Sequence, residues 1–165
     1  MSTREYDLIV IGAGPVGENV ADRAVQGGLS VVIVESELVG GECSYWACMP
    51  SKALLRGAAV LRAVHDVDGA RQAVTGTLDV TATLRRRDAA THEWNDSSQV
   101  DWLARAGIDL VRGHARLSGT REVVVSSEGE TLTLAARHAV AVCTGSAALL
   151  PDIDGLASAA PWTSR

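Results

Sequence analysis

The stretch from residue 6 to residue 35 constrains the fold of this chain more than any other part of the sequence. It runs from the apolar segment YDLIVI through a glycine-rich turn and a helical pattern to the apolar segment LSVVIVE. Continuous β-branched segments without polar alternation are typical of strands buried on both faces of a parallel sheet. The stretch therefore predicts a βαβ unit with a right-handed crossover.

The turn of this unit carries the pattern GxGxxG. Gly12 permits a tight turn, Gly14 lets the backbone approach a pyrophosphate, and Gly17 lets the helix pack closely on the strand. The amides and the positive dipole at the helix start favour the phosphates. Glu35, at the end of the second strand, would accept hydrogen bonds from the ribose hydroxyls of an adenosine. The motif predicts an ADP-containing dinucleotide and leaves NAD and FAD both open.

The rest of the chain predicts further helices and then strands. Apolar spacing indicates a second long helix from about Pro50 to Val64, and two weaker helical patterns occupy residues 78–106 around the polar break THEWNDSS. Beyond Gly107 the sequence pattern predicts short strands separated by turns: IDLVRG, REVVVSS, TLTLAA and HAVAVC. The predicted fold class is α/β, a Rossmann-type domain with a parallel sheet plus a small antiparallel β-meander.

Composition excludes several classes of function. The net charge of -5 gives no electrostatic footprint for nucleic acid, and the one arginine run, residues 85–87, stands beside Asp88 as a solvated helix face. The N-terminus has no cationic stretch ahead of an apolar segment, and no apolar run approaches the roughly 18 residues of a membrane span. We expect a soluble, cytoplasmic protein with neither a membrane nor a nucleic acid as partner. In such a compartment a close cysteine pair indicates catalysis or metal binding.

Two of the three cysteines, Cys43 and Cys48, stand five positions apart. On a regular helix their α-carbons would lie about 8 to 9 Å apart, whereas a disulfide needs roughly 4.4 to 6.8 Å. If they are bridged, the segment between them must be distorted, with regular helix starting near Pro50. Cys48 would then lie just before a helix N-terminus, where the dipole favours a reactive thiolate.

The only lysine of the chain, Lys52, follows Cys48 by about one helical turn and can reach the same face. Its compact ammonium can lie against a ring nitrogen and adjust its proton affinity, which a guanidinium cannot. Zinc is the structural alternative for the cysteines. It is disfavoured because C-x4-C has no second ligand pair and the four histidines are scattered, at positions 65, 92, 114 and 138.

Four segments in order, VIGAGPVG, Glu35, GGECSYWACMPSKALL and CTGSAALLPDIDGL, strongly resemble the pyridine nucleotide-disulfide oxidoreductases, flavoenzymes that include dihydrolipoamide dehydrogenase, glutathione reductase and mercuric reductase. The resemblance covers essentially the whole chain. It implies an N-terminal FAD-binding domain over residues 1–148 and a connector over residues 149–165 toward an NAD(P)-binding domain. The chain is then incomplete relative to the full enzyme.

The resemblance also implies a role for each matching residue. Cys43 would be the interchange thiol that attacks a disulfide substrate, Cys48 the thiol in charge-transfer contact with the flavin, and Lys52 the stabiliser of the reduced ring. Electrons would pass from NAD(P)H to FAD, to the Cys43–Cys48 disulfide, and then to a small-molecule disulfide or dithiol or a lipoyl domain, in a homodimer. The residues matched to the FAD site are Gly12, Gly14, Pro15, Gly17, Glu35, Ser36, Gly41, Glu42, Cys43, Cys48, Lys52, His114, Ala115, Thr144 and Gly145.

The sequence departs from the family pattern in two places. Between the cysteines it has Ser44-Tyr45-Trp46-Ala47 where relatives commonly have an Asn-x-Gly element, and bulky residues there would crowd the reacting sulfur. Cys143 replaces a small residue, usually alanine, and is expected to be a small buried hydrophobe. The catalytic His-Glu pair of the family should lie beyond Arg165.

Three alternatives stay open at this point. One is a relative that reduces a metal ion or a quinone with the same flavin and cysteine pair. Another is a truncated, non-enzymatic chain that binds a nucleotide or a partner through an exposed sheet edge. The last is an NAD-binding domain with inert cysteines, which leaves Lys52 unexplained.

Overall fold

A computed structural model of the protein describes residues 3–165. Six strands and five α-helices follow one another along these residues. In chain order they are β1 (Thr3–Ile11), α1 (Pro15–Gln26), β2 (Val31–Glu35), α2 (Gly41–Tyr45), α3 (Cys48–His65), α4 (Val80–Ala90), α5 (Ser97–Ala106), β3 (Ile108–Arg112), β4 (His114–Gly119), β5 (Glu122–Ser127) and β6 (Glu130–Val142). Short 3₁₀ turns at Arg71–Ala73 and His92–Trp94 separate the later helices.

The six strands form one mixed sheet in the order β3-β2-β1-β6-β5-β4. Strands β3, β2, β1 and β6 are parallel to their neighbours, whereas β4, β5 and β6 form an antiparallel meander. The predicted α/β class, with a parallel sheet and a small meander, is confirmed. The polarity changes at β6, which is parallel to β1 on one side and antiparallel to β5 on the other.

Both faces of the central strands are buried, as their unbroken apolar sequence predicts. Val10, Val31 and Ile33 face α1 and α5, where they pack with Ala21 and Leu103. The alternate positions, Ile9, Ile11, Val32 and Val34, pack against residues of the meander, Val123, Val125, Leu134 and Ala136. Two apolar layers therefore fix β1 and β2, and with them the turns that leave their carboxyl ends.

Helices α3 and α4 pack against each other and contribute little to this core. Only Pro50 and Ala53 are buried in α3, and α4 has no buried residue. Among residues 3–165, no helix is long and apolar enough to cross a bilayer.

Three local expectations from the sequence differ from the structure. The long helix begins at Cys48, two residues before the expected start near Pro50, because Ala47 already occupies the capping position. The segments TLTLAA and HAVAVC belong to one strand, β6, which is irregular only where Tyr6 and Leu8 pair across it. Residues 114–119, for which no strand was predicted, form β4, whose side chains are mostly exposed and so carry little apolar pattern.

Candidate functional site

The glycine-rich turn between β1 and α1 is closely packed from below. Gly12 has φ +99°, and a Cβ built there would lie 2.4 Å from the backbone oxygen of Cys143. A Cβ on Gly17 would lie 1.9 Å from the oxygen of Gly12. Glycine is required at both positions because the strand ends, the turn and the first turn of α1 leave no room for a side chain.

The upper side of the same turn is open. Gly14 caps α1, Pro15 is its first residue, and a Cβ on Gly14 would meet no atom within 4 Å. The amides of the first helical turn and the positive end of the helix dipole face this space, which suits a phosphate group. A methyl group on Gly14 would begin to fill this open space. Such a space is expected where a ligand approaches the backbone closely.

Glu35 ends β2 and faces the turn. Its Oε2 accepts a hydrogen bond from the Ala13 amide at 2.8 Å, and its Oε1 accepts one from the Glu37 amide at 2.8 Å. A carboxylate has about four acceptor positions, so each oxygen keeps capacity for a further donor such as a ribose hydroxyl. Glu35 therefore joins the glycine turn to the loop that follows β2, while its side chain still lines the cleft above them.

A cleft of about 890 Å³ extends from the glycine turn to the cysteines. It lies within the usual range of about 300 to 1,000 Å³ for ligand pockets. Eleven of the residues that sequence analysis selected line it: Gly12, Gly14, Pro15, Glu35, Ser36, Gly41, Glu42, Cys43, Cys48, Thr144 and Gly145. An open helix N-terminus, an acidic group and two thiols in one cleft fit FAD, with the ADP half at the glycine turn. A smaller cleft of about 300 Å³ between α1 and α5 contains none of the selected residues.

Cys43 and Cys48 lie on different helices. Helix α2 ends at Tyr45, and Trp46 and Ala47 have non-helical backbone angles before α3 begins at Cys48. This interruption is the distortion that a bridge between Cys43 and Cys48 would require. The pKa of the Cys43 thiol is raised, chiefly because its S–H donates toward Cys48 and secondly because of burial. Both cysteines are free thiols in the structure.

Lys52 is exposed on the second turn of α3, and its charge acts in the opposite direction, to lower the pKa of Cys43. The largest causes raise the pKa of Cys43 and so favour a proton on that thiol at neutral pH. Cys48 is the first residue of α3.

The bulky residues between the cysteines do not both crowd the site. Tyr45 is 1% exposed and points into the protein, so only half-buried Trp46 faces the cleft. Cys143 is also half-buried and lines the cleft, instead of being fully buried as expected. It follows β6 and packs at the edge of the apolar layer that contains Val10 and Ile33.

Among residues 3–165, four of the residues that sequence analysis selected do not line the cleft. Gly17 packs beneath the turn, and Lys52 lies further along α3. His114 and Ala115 pair with Ser126 and Val125 in the meander. Sequence reasoning missed cleft residues in the loop after β2, after β6 and at Arg165: Glu37, Leu38, Ser146 and Arg165. Proximity to Glu35 could have pointed to Glu37, whereas no local pattern points to Arg165.

Arg165 also lines the cleft. Its guanidinium donates to Glu42 at 2.5 Å and to Glu37 at 3.0 Å, and lies 4.1 Å from the centre of the Trp46 ring. The pairing with Arg165 lowers the pKa of Glu37.

Comparison with known proteins identifies one family over nearly the whole chain. The family model described as pyridine nucleotide-disulphide oxidoreductase matches residues 6–163. Dihydrolipoyl dehydrogenase of Synechocystis sp. is 36% identical, across 89% of this chain and 31% of that protein. Mercuric reductase of Acidithiobacillus ferrooxidans is 34% identical, across 98% of this chain and 30% of that protein.

The solved structures show the same fold. The Cu(II) complex of the HOCl-induced flavoprotein disulfide reductase RclA from Escherichia coli matches with a TM-score of 0.73 and 20% identity, over 91% of this chain and 31% of that one. The chain spans about a third of the length of the curated relatives it matches. Since the family model covers nearly all of it, the chain belongs to the pyridine nucleotide-disulphide oxidoreductase family.

Proposed function

We propose that this chain is the FAD-binding portion of an NAD(P)H-linked disulfide oxidoreductase of the dihydrolipoamide dehydrogenase type. The observation that carries the proposal is the pair of cysteines, Cys43 and Cys48, that lines one cleft together with the glycine-rich turn at the start of α1. Bound FAD would supply two-electron transfer between a nicotinamide and the cysteines.

The residues of the chain would divide the work as follows. Gly12, Gly14 and Pro15 hold the pyrophosphate at the start of α1, and Glu35 holds the adenosine ribose. Thr144 and Gly145 approach the flavin from the end of β6. Reduction of the Cys43–Cys48 disulfide takes two electrons and two protons and breaks the S–S bond. One of these protons stays on Cys43, the thiol with the raised pKa.

The dithiol would then reduce a substrate disulfide by exchange. Deprotonated Cys43 attacks one sulfur of the substrate disulfide and forms a mixed disulfide with it, while the other substrate sulfur leaves and takes up the proton that Cys43 gave up. Cys48 then attacks the sulfur of Cys43, which restores the internal disulfide and releases the second substrate thiol. Lys52 would lower the pKa of Cys43 for this attack. In the complete protein we propose a cytoplasmic homodimer that acts on a small disulfide or dithiol or on a lipoyl domain. Leu54 and Leu55 on α3 are exposed apolar residues, and they support a protein–protein contact at that helix in the complete protein.

Reduction of a metal ion or a quinone is the second candidate. It is favoured by Trp46, a flat ring that lines the cleft where the family commonly has smaller residues. Turnover of the complete enzyme with Hg²⁺ or a quinone, but not with lipoamide or glutathione disulfide, would select it.

The test on the chain itself uses its three cysteines. The FAD-loaded protein is oxidised, then reduced with stoichiometric dithionite, and a maleimide is used to count free thiols by mass. We expect two additional labels after reduction and a long-wavelength absorption shoulder from Cys48 against the flavin.

The matched variants are Cys48→Ser and Cys143→Ser. Cys48→Ser should abolish both the change in labelling and the shoulder, whereas Cys143→Ser should remove one label from both states and leave the shoulder. A Cys48→Ser protein with an unchanged shoulder would refute the assignment of that thiol.

A further inference from the structure

The loop of residues 36–39, between β2 and the turn into α2, forms one wall of the cleft at its adenosine end. Two of its backbone groups are bound by side chains from other elements. The Val39 amide donates to Asp96 Oδ2 at 2.8 Å, and the Glu37 oxygen accepts from Arg112 Nη1 at 2.6 Å. Asp96 immediately precedes α5 and Arg112 ends β3, so residues distant in the chain hold this wall.

The two side chains are also bound to each other. Arg112 Nη2 donates to the same Asp96 oxygen that receives the Val39 amide. The side chain of Asp96 is 15% exposed and that of Arg112 is 39% exposed. Charge-assisted hydrogen bonds in a partly buried position are stronger than neutral ones and less screened than a surface ion pair. Asp96 and Arg112 thus form a latch that closes over the loop backbone from Glu37 to Val39.

The ends of the loop are fixed as well, and in the middle the latch holds the backbone while Arg165 binds only the side chain of Glu37. Glu35 accepts the amides of Ala13 and Glu37 at one end, and Gly40 donates to the Ala13 oxygen at 2.8 Å at the other. Among residues 3–165, those that line the cleft include Ser36, Glu37 and Leu38 but neither latch residue. The latch therefore acts on a ligand only through the loop.

We propose that Asp96 and Arg112 are positioning residues for the adenosine half of the dinucleotide, because they hold the 36–39 loop in the conformation that binds it. The inference rests on the proposed FAD-binding role. Without the latch, the loop samples conformations that do not bind the ligand. The apparent affinity then falls in proportion to the fraction of the protein whose loop is in the binding conformation. Any ligand that contains adenosine diphosphate is affected equally, whatever its redox half.

The test measures the loop and the ligand separately on the whole chain. Amide exchange at Val39 is followed by NMR without ligand, and dissociation constants for ADP and for FAD are obtained by calorimetry. Asp96→Ala removes both contacts of the acid. We expect at least about tenfold faster exchange at Val39, and affinities for ADP and FAD that fall by one common factor of about ten.

Conservative variants keep the test valid if Asp96→Ala unfolds. Asp96→Asn keeps an acceptor for Val39 but weakens the tie to Arg112, so we expect an intermediate loss. Arg112→Lys cannot reach both Glu37 and Asp96 with one ammonium and should resemble Asp96→Asn. Asp101→Asn, an exposed acid on α5, is the control and should leave exchange and both affinities unchanged.

Two results would overturn the proposal in distinguishable ways. If the wild-type chain binds ADP and both Asp96→Ala and Arg112→Lys bind it equally well, the positioning role is refuted but the proposed function is not. Failure of the wild-type chain to bind either ADP or FAD would refute the proposed function and the positioning role with it.

Discussion

The glycine-rich unit and the cysteine-bearing helices meet at one cleft, but the protein holds them in different ways. In the glycine-rich unit, Ile9 of β1 and Ile33 of β2 are 0% exposed, on opposite faces of the sheet. In the 18-residue helix α3, by contrast, only two residues are buried, and its neighbour α4 has none. The glycine-rich turn is thus fixed by the core of the chain, whereas the helices that begin at Cys48 lie on its surface.

This difference teaches which part of the site is preformed. A region with few buried apolar contacts opens locally at lower free energy than one inside the core. Leu55 of α3 is 68% exposed and Val80 of α4 is 70% exposed, so their apolar surface contributes little to holding either helix in place. We therefore expect the nucleotide end of the cleft to be rigid and the redox end to adjust, and the following substitutions test that contrast.

The largest effect is expected from Gly17→Ala. The new Cβ would lie 1.9 Å from the Gly12 oxygen and 3.3 Å from a side-chain carbon of Val10, both of which belong to the buried unit. Backbone cannot move away without separating α1 from β1, so we expect a loss of about 3 kcal/mol or more in the free energy of unfolding. Urea denaturation measures it. A variant of wild-type stability would mean that the unit is looser than its packing indicates.

Gly14→Ala sharpens the contrast within the same turn. Its Cβ would meet no protein atom within 4 Å, so we expect the free energy of unfolding to change by no more than about 0.5 kcal/mol. The methyl group would occupy the space above the start of α1, and FAD affinity should fall at least about tenfold, or 1.4 kcal/mol. Flavin fluorescence titration measures this loss. Unchanged FAD affinity would show that the pyrophosphate does not approach Gly14.

The same contrast explains what the sequence could predict. The βαβ unit was predictable because buried strands and glycine contacts leave local patterns of apolar residues and spacing. The break between Cys43 and Cys48 was predictable from the reach of a disulfide. Strand β4 was not, since its mostly exposed residues carry little apolar pattern. The latch of Asp96 and Arg112 was not predictable either, because its partners are 16 residues apart and act on a loop more than 50 residues earlier.

Glu18 lies where the two regions meet and is the one acid of α1 in an unfavourable setting. Its Oε1 is buried without a hydrogen-bond partner among residues 3–165, and the same holds for the hydroxyl of Tyr45 on α2. Burial, and secondly the charge of Glu35, raise the pKa of Glu18 above its ordinary value of 4.5. Burial is the main cause that raises the pKa of Tyr45, and the hydrogen bond with Cys48 is the main cause for Cys43; the charge of Glu18 adds to both in the same direction.

The smallest effect is therefore expected from Glu18→Gln, and it depends on pH. A carboxyl whose pKa is higher in the folded than in the unfolded protein destabilises the fold as pH rises above 4.5, because the folded state holds the proton longer. Glutamine mimics the neutral form, so the variant should melt about 1 to 4 °C higher at pH 7, the range that up to about 1 kcal/mol gives a chain of this length. Below about pH 4 both proteins carry a neutral group and their melting temperatures should converge.

Asp22→Asn, one turn along α1 where the acid accepts from Gln26, is the matched control and should give no such gain. An equal gain at both pH values would assign the effect to packing, and the charge of Glu18 would then have no part in how the nucleotide turn and the cysteine helices fit together.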